Sequence, residues 1–144
     1  MCRSFLAQLR EHYDQLTEGG AQVIAIAPSN RSLLERFTKE FGPYPFTIYG
    51  DPERNLYRSM GHKTMAKWKL IAKAGKAFLK GGKKAFLPED EGKREVVQES
   101  LSTQDIYIQG GSWIFNEKGE VVWSHIDESP EDHASIKELL KQLN

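Results

Sequence analysis

The 144-residue sequence contains a single cysteine, Cys2, and this scarcity limits what the protein can be. One cysteine excludes an internal disulfide framework and is typical of a reducing compartment, so the predicted location is cytoplasmic. The sequence also lacks an apolar run of the roughly 20 residues that a membrane-spanning helix needs. Arg3 and Arg10 interrupt the N-terminal apolar stretch that a secretory signal peptide would require.

The chain has no excess of charge of either sign, because 20 Lys and Arg residues balance 20 Asp and Glu residues. Nucleic acid is therefore not predicted as a partner. The histidines do not show the HExxH spacing of a zinc site, and with one cysteine we expect no metal and no other cofactor. His125 and His133 are interpreted as surface or helix-capping residues, with His133 in the first turn of the last helix.

Hydrophobic periodicity predicts a chain of alternating helices and strands. The apolar run 23–27 is continuous, which is typical of a strand buried on both faces. In chain order the predicted elements are a helix 2–17, a strand 22–27, a helix capped by Ser29 or Asn30, a strand 46–50, a helix from Asp51-Pro52 to Met60, a lysine-rich helix of about 64–80, a loop with a partial helix at 87–105, a hairpin of strands 112–116 and 120–126, and a last helix starting at Ser129. This order indicates an α/β sandwich.

Residues 62–84 differ in character from the rest of the chain. They contain eight lysines and no acidic residue. We interpret 1–144 as a single domain with a lysine-rich helical insert at about 62–105, in which the lysines form a solvated helix face. The alternative is that Lys67, Lys69 and Lys73 contact an anionic membrane surface, as basic amphipathic helices do.

Three stretches of the sequence resemble the peroxiredoxin-like branch of the alkyl hydroperoxide reductase C / thiol-specific antioxidant (AhpC/TSA) family. CRSFLAQL (2–9) resembles the helix that follows the active-site cysteine of that family. Residues 21–61 resemble its "strand, helix, strand, Asp-Pro, helix" middle, and QGGSWIFNEKGEVVWSH (109–125) resembles its final hairpin. The resemblance implies a thioredoxin-like three-layer sandwich.

The resemblance also implies a function, that of an antioxidant thiol oxidoreductase. Cys2 would be the catalytic nucleophile that attacks a hydroperoxide or disulfide substrate, because a helix N-terminus stabilises a thiolate. Arg3 would support the thiolate with a nearby positive charge, and Gly110 and Gly111 would form the opposite wall of the substrate pocket. An external thiol of the thioredoxin or glutathione type would then reduce the oxidised Cys2, since the chain has no second cysteine.

Parts of the family pattern would fall before Met1. These are the first cysteine of a CxxC pair, a threonine that binds the peroxide, and the strand that enters the active site. We therefore expect an N-terminally truncated fold with the strand order 46–50, 22–27, a gap of one strand, 112–116 and 120–125. The alternative functions are a non-catalytic thioredoxin-like module, or a truncated isoform that acts, if at all, through its basic helix.

Overall fold

The computed structural model describes residues 3–65, 90–103 and 108–143. Its elements in chain order are α1 (Arg3–Glu11), α2 (Tyr13–Thr17), β1 (Ile24–Ala27), α3 (Arg31–Phe41), β2 (Thr47–Gly50), α4 (Asn55–Ser59), α5 (Glu91–Thr103), β3 (Gly111–Phe115), β4 (Val121–Ile126) and α6 (Ile136–Leu143). The greater part of the predicted lysine-rich helix lies outside the described residues.

The strands form two separate two-stranded sheets. β1 pairs in parallel with β2, and β3 pairs antiparallel with β4. Both pairings and the α/β class agree with the predicted order, and within the described ranges no ladder joins β1 to β3. The hairpin between β3 and β4 turns at Gly119, whose φ of 79° lies in the left-handed region that favours glycine.

The prediction that β1 is buried on both faces is wrong. Ala25 and Ala27 are buried, but Ile24 is 52% exposed. Successive side chains of a strand point to opposite faces, and the Ala25 face packs in a core cluster with Leu33 and Phe37 of α3. The described residues cover the opposite face of β1 only in part, and Ile24 is therefore exposed.

Two helix starts depend on side-chain caps. The predicted cap of α3 is confirmed: the Asn30 side chain accepts the backbone N–H of Leu33 at 2.9 Å. The carboxylate of Asp51 accepts the N–H groups of residues 55–57 at 2.9–3.2 Å, so Asp51 anchors α4 from four residues before its first residue. The predicted helix therefore starts later than Asp51, because a turn comes first, closed by the N–H of Arg54 donating to the Asp51 carbonyl at 2.9 Å.

The last helix also starts later than predicted. α6 begins at Ile136, and Ser135, not Ser129, receives the N–H of a first-turn residue (Glu138, 3.2 Å). The segment before it is a turn, in which the Asp132 carboxylate accepts the N–H of residue 128 at 2.9 Å. Such local side-chain bonds compete with helix formation.

Two other predictions about helices are made more exact. The predicted helix 2–17 is divided into α1 and α2, with a break at His12. In the region predicted as a loop with a partial helix, 87–105, the structure has α5, a helix of 13 residues. Among the side chains of α5 that the structure describes, Val96 is the one buried in the core, and Arg36 of α3 pairs with Glu99 on the outside of the helix.

α1 lies between two hydrophobic core clusters. Leu6 belongs to the first cluster, with side chains from β1, α3 and α5. Phe5 packs on the second, which is centred on Leu16, Ala134, Ile136 and Leu139. Because its consecutive residues 5 and 6 are held by different clusters, the first turn of α1 has a defined position. Within the described ranges no helix is long and apolar enough to cross a membrane.

Candidate functional site

Cys2, the predicted nucleophile, lies outside the described residues, and so do Lys67, Lys69 and Lys73. The structure does describe the turn that follows Cys2 directly. There the ring of Phe5 stacks on the imidazole of His133, with centroids 4.9 Å apart and planes 17° from parallel. The first turn of α1 therefore contacts a titratable side chain from the segment between β4 and α6.

A buried carboxylate, Asp127, holds this imidazole in place. The side chain of Asp127 is only 1% exposed, and its Oδ2 accepts a hydrogen bond from His133 Nδ1 at 2.6 Å. The other oxygen, Oδ1, has no hydrogen-bond partner among the described residues and lies 3.7 Å from His125 Nε2. A buried carboxylate is costly unless it is paired. The imidazoles of His133 and His125 both lie close to this one buried carboxylate.

Gly110 and Gly111 lie directly beside this anion. The Gly110 carbonyl accepts the backbone N–H of Asp127 at 3.1 Å. A Cβ atom on Gly110 would be 3.0 Å from Asp127 Oδ2, and one on Gly111 would be 2.6 Å from the His125 carbonyl oxygen. The two positions thus allow a close approach that a larger residue would prevent.

These contacts bring one pair of predicted site elements together. Gly110 is connected to the first turn of α1 through Asp127, His133 and Phe5. The role of Gly110 and Gly111 as a pocket wall stays a prediction. Arg3 has a different neighbour, since its guanidinium carbon lies 5.4 Å from the ring centroid of Phe41, and its support of a thiolate also stays a prediction.

A third imidazole, that of His62, packs against the same glycines. His62 Nδ1 donates to the Gly110 carbonyl at 2.8 Å, and Trp113 Nε1 donates to His62 Nε2 at 3.3 Å. A carbonyl only accepts and an indole N–H only donates, so these bonds require the His62 proton on Nδ1. Trp113 is half-buried and serves here as a hydrogen-bond donor.

Tyr57 completes the polar neighbourhood. Its hydroxyl donates to the Ile26 carbonyl of β1 at 2.8 Å, and its ring lies 5.0 Å from that of His62. Burial raises the pKa of Tyr57, and the negative charges of Asp51 and Asp127 raise it further. The phenol therefore stays protonated and keeps its role as a donor.

The sequence-based interpretation of His133 as a surface or first-turn helical residue is wrong. Its side chain is 21% exposed and bonded to Asp127, three positions before α6 begins. His125 is likewise half-buried, with Nε2 donating to the Asp132 carbonyl at 2.8 Å. The sequence does show an acidic residue, Asp127, directly after the last strand. That position alone does not indicate a hydrogen bond to His133, six positions later. No group of three potential metal ligands occurs in the described part of the chain.

The sequence of this chain is similar to those of known proteins. The sequence model of the family described as "AhpC/TSA antioxidant enzyme" matches residues 8–129. The chain is 26% identical over 149 aligned positions to peroxiredoxin-like 2C of Takifugu rubripes, an alignment that covers 97% of this chain and 62% of that protein. This chain thus spans less than two thirds of the relative's length. No solved structure matches it.

The family match extends from the second turn of α1 to beyond β4, and so includes both sheets and the glycine pair. The mixed α/β architecture with small sheets is consistent with the thioredoxin-like fold of that family. Since the match covers well over half of the 144 residues, this chain belongs to the AhpC/TSA antioxidant enzyme family, as a peroxiredoxin-like member.

Proposed function

We propose that this protein is a thiol-dependent peroxidase that reduces hydroperoxides through Cys2. The observation that carries the proposal is membership of the AhpC/TSA family in a chain whose one cysteine directly precedes the first residue of α1. The first N–H groups of a helix have no intrahelical acceptor and, with the positive end of the helix dipole, stabilise an anion such as a thiolate.

The chemistry requires no group other than the thiol, the peroxide and a reductant. The thiolate sulfur attacks one peroxide oxygen, an S–O bond forms and the O–O bond breaks, and the departing oxygen takes up a proton to become an alcohol or water. Sulfur is oxidised to a sulfenic acid while the peroxide is reduced by two electrons. The Asp127–His133 pair lies next to the first turn of α1, because the ring of His133 stacks on Phe5.

Reduction of the sulfenic acid needs an external thiol, because the chain contains one cysteine. A thiol of the glutathione or thioredoxin type condenses with the sulfenic acid, forming a mixed disulfide and releasing water. A second thiol then attacks the mixed disulfide, which restores the Cys2 thiol and leaves the oxidised disulfide of the reductant.

The test compares the chain with its Cys2→Ser variant. We expect the unmodified chain to consume hydrogen peroxide and an organic hydroperoxide in the presence of glutathione, and Cys2→Ser to lose that activity. Mass spectrometry should show a dimedone adduct on the unmodified chain only. The variant is the necessary control because the three methionines also take up oxygen from peroxide.

Equal rates for the two proteins would contradict the proposal and favour a non-catalytic thioredoxin-like module. A melt of each protein by circular dichroism shows whether the substitution has changed the fold, so that a lost activity can be assigned to the thiol.

A further inference from the structure

A cavity of about 490 Å³ lies on the other side of α1 from His133, and no step of the proposed reaction uses it. We call it the arginine–aromatic groove. Its lining consists of Arg3, Ser4, Ala7, Arg10, Phe41 and Tyr44. Four of these residues come from α1, and the other two come from the end of α3 and the segment after it.

The groove contains two guanidinium groups, each of which lies close to an aromatic ring. The guanidinium carbons of Arg3 and Arg10 each lie 5.4 Å from an aromatic centroid, that of Phe41 and that of Tyr44 respectively. Among the described residues neither arginine forms an ion pair with a carboxylate. Contact with an aromatic face orients a cation without cancelling its charge.

Further charges near the groove add to the positive field. Lys93 Nζ lies 5.8 Å from the centroid of the same Phe41 ring. The carboxylate of Glu40, the acidic residue next to Phe41 in the chain, lies instead against Gly92, where its Oε2 is 2.8 Å from the position of an added Cβ. Three cations therefore lie around the two aromatic rings.

The positive charges of both guanidinium groups act on Tyr44. Burial raises the pKa of Tyr44, while the positive charges of Arg10 and Arg3 oppose that rise. A hydrogen bond also orients Arg10, because its Nη1 donates to the Phe41 carbonyl at 3.0 Å. A guanidinium has five N–H donors, so most of the donors of Arg10 stay available for a ligand.

The positions of Arg3 and Arg10 in α1 set the separation of their backbone atoms along the helix. Arg3 and Arg10 are seven positions apart in α1, which corresponds to about 10.5 Å along a helix axis. A γ-glutamyl tripeptide such as glutathione has one carboxylate on its glutamate and one at its C-terminus, and in the extended molecule these two groups are separated by about 10 Å. Between the arginines, Ala7 and the aromatic rings give an apolar floor that suits the middle of such a molecule.

We infer that the arginine–aromatic groove binds a short peptide-like dicarboxylate of the glutathione class, with one carboxylate at Arg3 and the other at Arg10. Arg3 is the neighbour of Cys2 in the sequence, so a thiol bound here would be the reductant of the oxidised cysteine. That role rests on the proposed peroxidase function, whereas the binding site itself does not.

Binding is tested with S-methylglutathione, which has both carboxylates and no free thiol, on the full chain carrying Cys2→Ser. Isothermal titration calorimetry should show saturable 1:1 binding that weakens as salt is added. Arg3→Gln and Arg10→Gln should each weaken it about tenfold, as expected for loss of a charged hydrogen bond. The matched control is Arg31→Gln, which removes the same charge from an exposed ion pair with Glu35 on α3 and should leave the affinity unchanged.

Three results would overturn the inference. One is no heat of binding with S-methylglutathione at millimolar concentration while the circular dichroism melt is normal. Another is an equal loss of affinity in Arg31→Gln and Arg10→Gln. The third is unchanged affinity for the monoethyl ester of the ligand, together with displacement by inorganic phosphate, which would make the groove a general anion site. Because Cys2→Ser has no thiol, binding is tested independently of peroxidase activity.

Discussion

Replacing Gly111 by alanine tests the close packing on which the candidate site depends. Gly111 opens β3 and is paired with Ile126 of β4. A Cβ there would lie 2.6 Å from the His125 carbonyl oxygen and 2.7 Å from His62 Cε1, whereas an ordinary contact begins at 3.4 Å. The backbone of β4 would have to retreat by about 0.8 Å, and His62 would have to leave its position between the Gly110 carbonyl and Trp113.

The size of the effect follows from two opposing terms. Overpacking of this kind costs about 1–3 kcal/mol, and here the upper part of that range applies because one obstructing atom belongs to the backbone. Alanine also restricts the unfolded chain, which stabilises the folded state by about 0.4–1 kcal/mol. We therefore expect Gly111→Ala to lower the free energy of unfolding by about 1–2 kcal/mol.

Urea denaturation followed by tryptophan fluorescence measures this change, since Trp113 lies beside the substituted position. The matched control is Gly19→Ala, where the nearest atom to the new Cβ is 3.9 Å away and ordinary contact results. That variant should be as stable as the parent or slightly more so. Equal stability of Gly111→Ala and Gly19→Ala would refute the reasoning, because it would show that β4 and His62 do not approach Gly111 this closely.

Three further substitutions have defined outcomes in urea denaturation. Tyr57→Phe should cost about 1 kcal/mol by removing the hydrogen bond to the β1 carbonyl. Because the folded pKa of Tyr57 is raised above its ordinary 10.0, its contribution is complete below that pH and is lost above it, so the variant should lose stability less steeply in alkali. Asp127→Asn should cost about 1–3 kcal/mol by removing the buried charge that holds His133, whereas Glu128→Gln, in an exposed pair, should change stability by about 0.5 kcal/mol at most. Asn30→Ala should cost about 1 kcal/mol and Asn30→Asp much less, because aspartate also caps a helix. The Tyr57 contact would be contradicted if Tyr57→Phe and the parent shared a flat pH profile of stability. The Asp127 contact would be contradicted if Asp127→Asn were as stable as Glu128→Gln. The Asn30 cap would be contradicted if Asn30→Ala left stability unchanged.

Much of the fold was predictable because its signals are local. Asn30 caps α3 as expected from its residue type and place, and a glycine at position 119 turns the hairpin with a positive φ. The predictions were wrong or incomplete where a distant contact or a local side-chain bond overrides periodicity. The extent of α5 depends on Val96 and on the pairing of Arg36 with Glu99, residues 63 positions apart, and α6 starts late because Asp132 bonds the turn before it.

The candidate site divides in the same way. The glycine pair and the cysteine were predicted as site residues from the family resemblance, and their roles stay predictions. The interpretation of Asp127 and His133 needed the structure, because a buried carboxylate looks in sequence like any other acidic residue after a strand. His62 and Gly110 are 48 positions apart, and no periodic pattern relates them.

The sequence by itself determined the α/β class, because the periodicity of apolar residues is a local signal, and it contains one residue able to act as a thiol nucleophile. The family and the strand pairings followed from the resemblance of three stretches of the sequence to known proteins. Only the tertiary structure decided which polar groups share a low-dielectric space. Packing of α1 between two hydrophobic clusters places Phe5 on His133, Asp127 beside Gly110, and two arginines over aromatic rings. Those placements depend on contacts between segments that are distant in the chain, which no short stretch of sequence encodes.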